Sequence, residues 1–129
     1  MDFKLEICCA DLHSIRAAIA GGANRVELCQ ALDVDGLTPS AGMIGMAVNS
    51  GIDVHVLIRP RAGDFIYTED EVDCMIYDIQ IARKLGAQGV VIGALTPEGG
   101  YRHTGLPSYG RGCRREDAHY LSSRLRCMS

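Results

Sequence analysis

An α/β fold is expected: the first four β/α units of a TIM-like (β/α)8 barrel, truncated and followed by an irregular C-terminal tail. Three observations predict it. Short β-type segments recur at a spacing of 20–35 residues. Segments with helical apolar spacing and helix-capping residues lie between them. After Gly99-Gly100 both patterns stop and the charge balance inverts. Residues 1–100 hold 7 Lys and Arg against 14 Asp and Glu, and 101–129 hold 6 Arg against 2 acids.

Residues 3–9 (Phe3-Lys4-Leu5-Glu6-Ile7-Cys8-Cys9) alternate as a strand does. Asp11 can cap a helix running to Ala20, with Leu12, Ile15, Ala18 and Ile19 at helical spacing, and Gly21-Gly22 stops it. Arg25 to Cys29 alternates again. A loop with Gly36 and Thr38-Pro39-Ser40 leads to a helix over about 40–49, which carries Met43, Ile44, Ala47 and Val48. Ile52 to Ile58 is a third strand, and Arg59-Pro60-Arg61-Ala62-Gly63-Asp64 a loop. The next helix, about 69–85, has apolar residues at 72, 75, 76, 79, 82 and 85, close to a 3.6 period, and Gly86 ends it. Gly89 to Leu95 is a fourth strand. A β-α-β-α-β-α-β order demands parallel strands with right-handed helical crossovers. It fits half of a (β/α)8 barrel or a small open doubly wound sheet.

The strand faces favour the barrel. Period two puts Lys4, Glu6 and Cys8 on one face of the first strand, and Arg25, Glu27 and Cys29 on one face of the second. In the third it groups His55, Leu57, Arg59 and Arg61. The opposite faces are wholly apolar and must meet the helices, so the mixed face must look into a barrel. Buried charges there need partners. Glu6 and Glu27 against Arg25 and Arg59 can neutralise one another, and that structural role weighs evenly with function for Glu6 and Arg25. Cys8, Cys29, Arg59 and Arg61 lie at C-terminal strand ends, where barrel proteins place their sites.

Composition excludes several classes. A net charge of -3 gives no whole-chain argument for nucleic acid or an acidic membrane. No stretch approaches the roughly 18 apolar residues of a membrane span. Met1-Asp2-Phe3-Lys4 leads into a short apolar run without the long core of a signal peptide, so a cytoplasmic protein is expected. The six cysteines, at 8, 9, 29, 74, 113 and 127, form no CxxC pair, and disulfides are a poor default in such a chain. Cys9 and Cys74 read as buried thiols. Met43, Met46 and Met75 sit on helices and read as core filler.

Several blocks resemble the CutC copper-homeostasis family. They are Leu5-Glu6-Ile7-Cys8, Gly21 to Cys29, Gly36-Leu37-Thr38-Pro39-Ser40, Val56 to Arg61, Gly63-Asp64-Phe65, Asp78-Ile79 and Lys84 to Val91. They occur in family order over residues 3 to about 99; each is weak alone and together they are specific. The resemblance implies a TIM-like barrel, a cytoplasmic location and a role in copper tolerance or trafficking. Cys8 and Cys29 occupy matching motif positions and, by parity, face one cavity. Thiolates suit Cu(I), so these two, with His55 as a lesser addition deeper along its strand, are the expected ligands of a bound copper ion. The rival expectation is an enzyme. Arg59, Arg61 and Gly93 would then form an anion-binding rim for a small phosphate- or carboxylate-bearing ligand, and Glu6 or Glu27 would act as general base.

Residues 101–129 match no part of the barrel pattern. Three Tyr among 6 Arg make a weak case for a nucleic-acid arm. A shifted reading frame is the sharper explanation. Synonymous codons for His119 to Arg126, read one base later, encode Ile-Thr-Phe-His-Arg-Ala-Phe, close to the family's fifth-strand motif. Tyr101-Arg102 likewise permits Ile-Asp. Under that reading Cys113, Cys127, His103 and His119 are not ligands. A half barrel also leaves two strand edges open, so pairing with a second copy is one expected way to close it.

Overall fold

The computed structural model describes residues 4–92 of the 129-residue chain. Each helix begins where a side chain can take up the first free N–H groups of the turn. Asp11 accepts from the Ser14 amide and opens α1 (Leu12–Ala20). Ser40 does the same for α2 (Ala41–Asn49) through Met43. Thr68 and Glu71 form a reciprocal capping box at the start of α3 (Glu69–Lys84), whose first turn also holds Glu69 and Asp70 and whose last holds Arg83 and Lys84. Gly86, at φ 101, turns the chain out of α3 in the left-handed region that glycine tolerates.

The strands are β1 (Glu6–Cys9), β2 (Arg25–Leu28), β3 (Asp53–Ile58) and β4 (Gly89–Ile92). They form one parallel sheet in the order β1-β2-β3-β4. Strictly sequential order means that every crossover steps the same way. A doubly wound sheet starts near its middle and reverses, so that alternative is excluded, and the arrangement is that of successive barrel units.

Strand register fixes what each face carries. Cys9, Val26, Leu28, Val54, Val56, Ile58, Val90 and Ile92 point to one side and pack with Ile15, Ala18, Ile44, Ala47, Val72, Met75, Ile79 and Ala82 of the helices. The other side bears a smaller cluster of Cys29, Leu57 and Val91, with Ala10 against it. The apolar helix-facing sides expected from period two are therefore found.

Differences from expectation have local causes. The β1 ladder begins at Glu6, so Leu5 is exposed; its amide donates to Asn24 Oδ1 instead, and its carbonyl accepts from the Asn24 and Arg25 amides. Cys74 is exposed, contrary to its reading as a buried thiol, because it falls off the Val72, Met75, Ile79, Ala82 stripe of α3. Met46 is exposed too, whereas Met75 is core. Gly93, the end of the fourth strand and the basic tail lie outside the described residues.

Candidate functional site

The inner face is built in rows by the register. Glu6 stands opposite Arg25, and Arg25 opposite Asp53. Above them come Cys8, Glu27, His55 and Gly89. Cys29 follows β2, and its amide continues the ladder to the Cys9 carbonyl at 3.0 Å. Cys8 and Cys29 are thus diagonal neighbours on adjacent strands at their C-terminal ends. Their Sγ atoms lie 3.7 Å apart.

The two thiols differ. Cys8 is exposed and Cys29 is buried. Burial first, then the hydrogen bond and charge of Cys8 and the charge of Glu27, push the Cys29 thiol up to about 12. Cys29 is therefore protonated at neutral pH, and any ion it holds must displace that proton. Its Sγ also leans on the Cys9 carbonyl at 3.7 Å. Cys9 faces the opposite way, into the helix-side core, and belongs to packing.

Two thiolates at this distance can share one soft ion. With metal–sulfur bonds of about 2.3 Å, a separation of 3.7 Å subtends roughly 107° at the ion. A linear arrangement would need about 4.6 Å. Among the described residues no group of three or more His, Cys, Asp and Glu is placed to hold a metal. A pair of thiolates is a soft donor set of the kind that suits Cu(I). His55 is buried one row below Cys29, its ring lying against Gly89 of β4.

The remaining candidates are tied into the scaffold. Arg25 Nε donates to Glu6 Oε2 on the inner face, pairing two half-buried charges. Arg59 is buried, with Nη1 donating to the carbonyls of Val34 and Gly36 and Nη2 to that of Gly63 at 2.9 Å. Its guanidinium also stacks 5.2 Å from the Phe65 ring centre. Arg61 donates to Glu71 Oε1 at 2.7 Å, to Asp64 and to the Ile66 carbonyl, and lies over Tyr67. The Arg61 guanidinium and the Thr68 amide hold the Glu71 carboxyl below its usual range.

Sequence reasoning placed no role on the loop from Ala31 to Gly36. It carries a single 3₁₀ turn over Leu32–Val34 between two left-handed residues, Ala31 (φ 54) and Asp35 (φ 67). Such backbone costs about 1–2 kcal/mol at Ala31 and less at Asp35, since aspartate tolerates it, so the loop gains from anchors. A charge-assisted hydrogen bond contributes about 1.5–3 kcal/mol net, and Arg59 makes two to this loop. The Asp35-Gly36 pair was the available signal, a turn dipeptide.

The CutC family model matches residues 3–103. This chain belongs to the CutC family. A CutC family protein from Porphyromonas gingivalis is 53% identical over 102 residues, covering 78% of this chain and 41% of the relative. One from Agrobacterium fabrum is 53% identical over 95 residues, covering 74% and 38%. The crystal structure of a putative copper homeostasis protein CutC from Streptococcus agalactiae superposes with TM-score 0.78 at 34% identity, over 83% of this chain and 53% of that one. A putative phosphonomutase from Burkholderia cenocepacia gives 0.57 at 16% identity, over 96% and 53%, a likeness of fold alone. The chain thus spans about two fifths of the curated CutC relatives it matches. No helix among the described residues is long and apolar enough to cross a membrane.

Proposed function

We propose that this CutC chain serves copper homeostasis by taking Cu(I) between the thiolates of Cys8 and Cys29. One observation carries the reading: two cysteines on adjacent parallel strands, at the end where barrel proteins bind, with Sγ atoms in contact at 3.7 Å. The chemistry follows from their difference in exposure. The ion meets Cys8 first, then Cys29, and each thiol gives up its proton as its sulfur–copper bond forms. The likeness to a relative described as a putative copper homeostasis protein supports copper as the cargo. The proposed working place is the cytoplasm, whose reducing poise keeps such thiols free.

The rival anion-binding reading of Arg59 and Arg61 is not favoured. An anion would have to displace the carbonyls on both Arg59 Nη atoms and the carboxylate on Arg61; of the Arg59 nitrogens only the buried Nε lacks a partner among the described residues. Glu6, a candidate base, is likewise engaged by Arg25.

Alkylation of the full chain with and without one equivalent of Cu(I), read by peptide mapping, tests the proposal. Copper is expected to protect Cys8, while the exposed Cys74 stays reactive. Undiminished labelling of Cys8 in the copper-loaded chain would remove the thiol pair as the site.

A further inference from the structure

We infer that Arg59 is a positioning residue for the thiol pair: it latches the 31–36 loop over Cys29, so that an ion reaches the pair from the Cys8 side. The inference rests on the reading that these two cysteines hold Cu(I), and it says how access to them is set.

The cover is visible at Gly36. A Cβ built there would stand 3.4 Å from Cys29 Cβ, 3.6 Å from its Sγ and 2.9 Å from Leu57 Cδ2. The loop backbone therefore lies directly on Cys29, which is 1% exposed while its partner Cys8 is open. Little in the loop's own side chains keeps it there. None of Leu32, Asp33 or Val34 is buried, and Leu32 is 54% exposed. Ala31 holds left-handed backbone that its side chain disfavours.

The loop's backbone is closed by the reciprocal Gln30–Leu37 pair, at 3.0 and 2.7 Å, and by the Gly36 amide on the Ala31 carbonyl at 3.1 Å; the side-chain anchors between these ends come from the end of β3. Arg59 Nη1 takes the carbonyls of Val34 and Gly36, the latter at 3.0 Å. Its Nη2 takes Gly63, which ties the same side chain to the β3–α3 loop. The Arg59 backbone adds two bonds with Thr38: its amide donates to Thr38 Oγ1 at 2.8 Å, and its carbonyl accepts from the Thr38 amide at 3.0 Å. Shortening the side chain removes the first set and leaves the second. The Gln30–Leu37 pair and the Thr38 bonds then hold the loop's two ends, while the Val34 and Gly36 carbonyls that face Arg59 lose their donor and the cover over Cys29 opens more often.

The test is cysteine alkylation of the metal-free full chain, resolved by peptide mapping, in wild type, Arg59→Lys and Arg59→Ala. Cys9 is the internal control, because it is fully buried in the helix-side core and the loop does not touch it. In Arg59→Ala the Cys29 rate is expected to rise at least tenfold relative to Cys9, with Arg59→Lys between it and wild type. If Arg59→Ala does not fold, Gly36→Ala decides. Its added methyl meets the tip of the Leu57 side chain at 2.9 Å and its φ of +94 is strained for alanine, so the backbone over Cys29 is expected to shift and the Cys29 rate to rise while Cys9 stays protected. The inference is overturned if Cys29 keeps its wild-type rate in a folded variant, or if Cys29 and Cys9 rise together as in general loosening. The readout needs no copper, so failure of the latch and failure of the copper reading are separate results.

Discussion

Gly89→Ala puts the inner-face packing to a quantitative test. Gly89 opens β4 directly beside His55 of β3. A Cβ there would stand 2.7 Å from both Cε1 and Nδ1 of the imidazole and 2.9 Å from Cγ. Comfortable contact between such atoms is about 3.5–4.0 Å, so the ring must retreat by about 1 Å. It has little room to do so, since His55 is 3% exposed. Overpacking of this kind costs about 1–3 kcal/mol. For a domain of this size each kcal/mol lowers Tm by about 4–8 °C, which puts the expected fall at several degrees or more. Thermal melts of wild type, Gly89→Ala, His55→Ala and the double variant read it. His55→Ala removes the obstruction, so adding Gly89→Ala in that background should cost less than half of what it costs alone. A single variant melting within a degree of wild type, or an equal loss in both backgrounds, would refute the packing argument.

Three more expectations concern charge. Cys29 is pushed up to about 12, so Cu(I) must displace its proton; apparent affinity should climb with pH across the neutral range, by up to about tenfold per unit for each proton released. A pH-independent affinity would exclude Cys29 as a ligand. The Glu71 carboxyl is held low by Arg61, a stabilisation present above the ordinary carboxylate value and lost as pH falls through the folded one. Arg61→Gln should therefore lower Tm at pH 7, with the gap narrowing in acid to what the bonds to backbone carbonyls contribute; a constant gap would say that the ion pair is not the cause. Burial raises the Asp78 carboxyl, so its charge opposes folding at neutral pH and ceases to do so once it is protonated in both states. Asp78→Asn should raise Tm at pH 7, with the gain shrinking in acid, and a drop at pH 7 would contradict it.

Much of this was legible in the sequence, for identifiable reasons. Period two separated Cys8 and Cys29 from Cys9 correctly, because parity survives any small error in strand bounds. The helices were equally plain from their apolar spacing, and Asp11 was read as the cap of the first; the caps Ser40 and Thr68 sit just ahead of the other two. The start of β1 was drawn too early, because alternation continues through Leu5 while its pairing does not. The partners of Arg59 and Arg61 could not be read at all. They are carbonyls of Val34, Gly36, Gly63 and Ile66, set by loop conformation and carrying no signature in residue type. Cys74 misled for the usual reason that thiols are commonly buried; its place on α3 was the better guide.

The most direct test of the copper reading is a competition titration of the reduced full chain with Cu(I) against a chromophoric Cu(I) chelator. Wild type, Cys8→Ser, Cys29→Ser and Cys74→Ser are compared. One tight equivalent is expected in wild type and Cys74→Ser, lost in both Cys8→Ser and Cys29→Ser. Retention of that equivalent in either of the last two would contradict it.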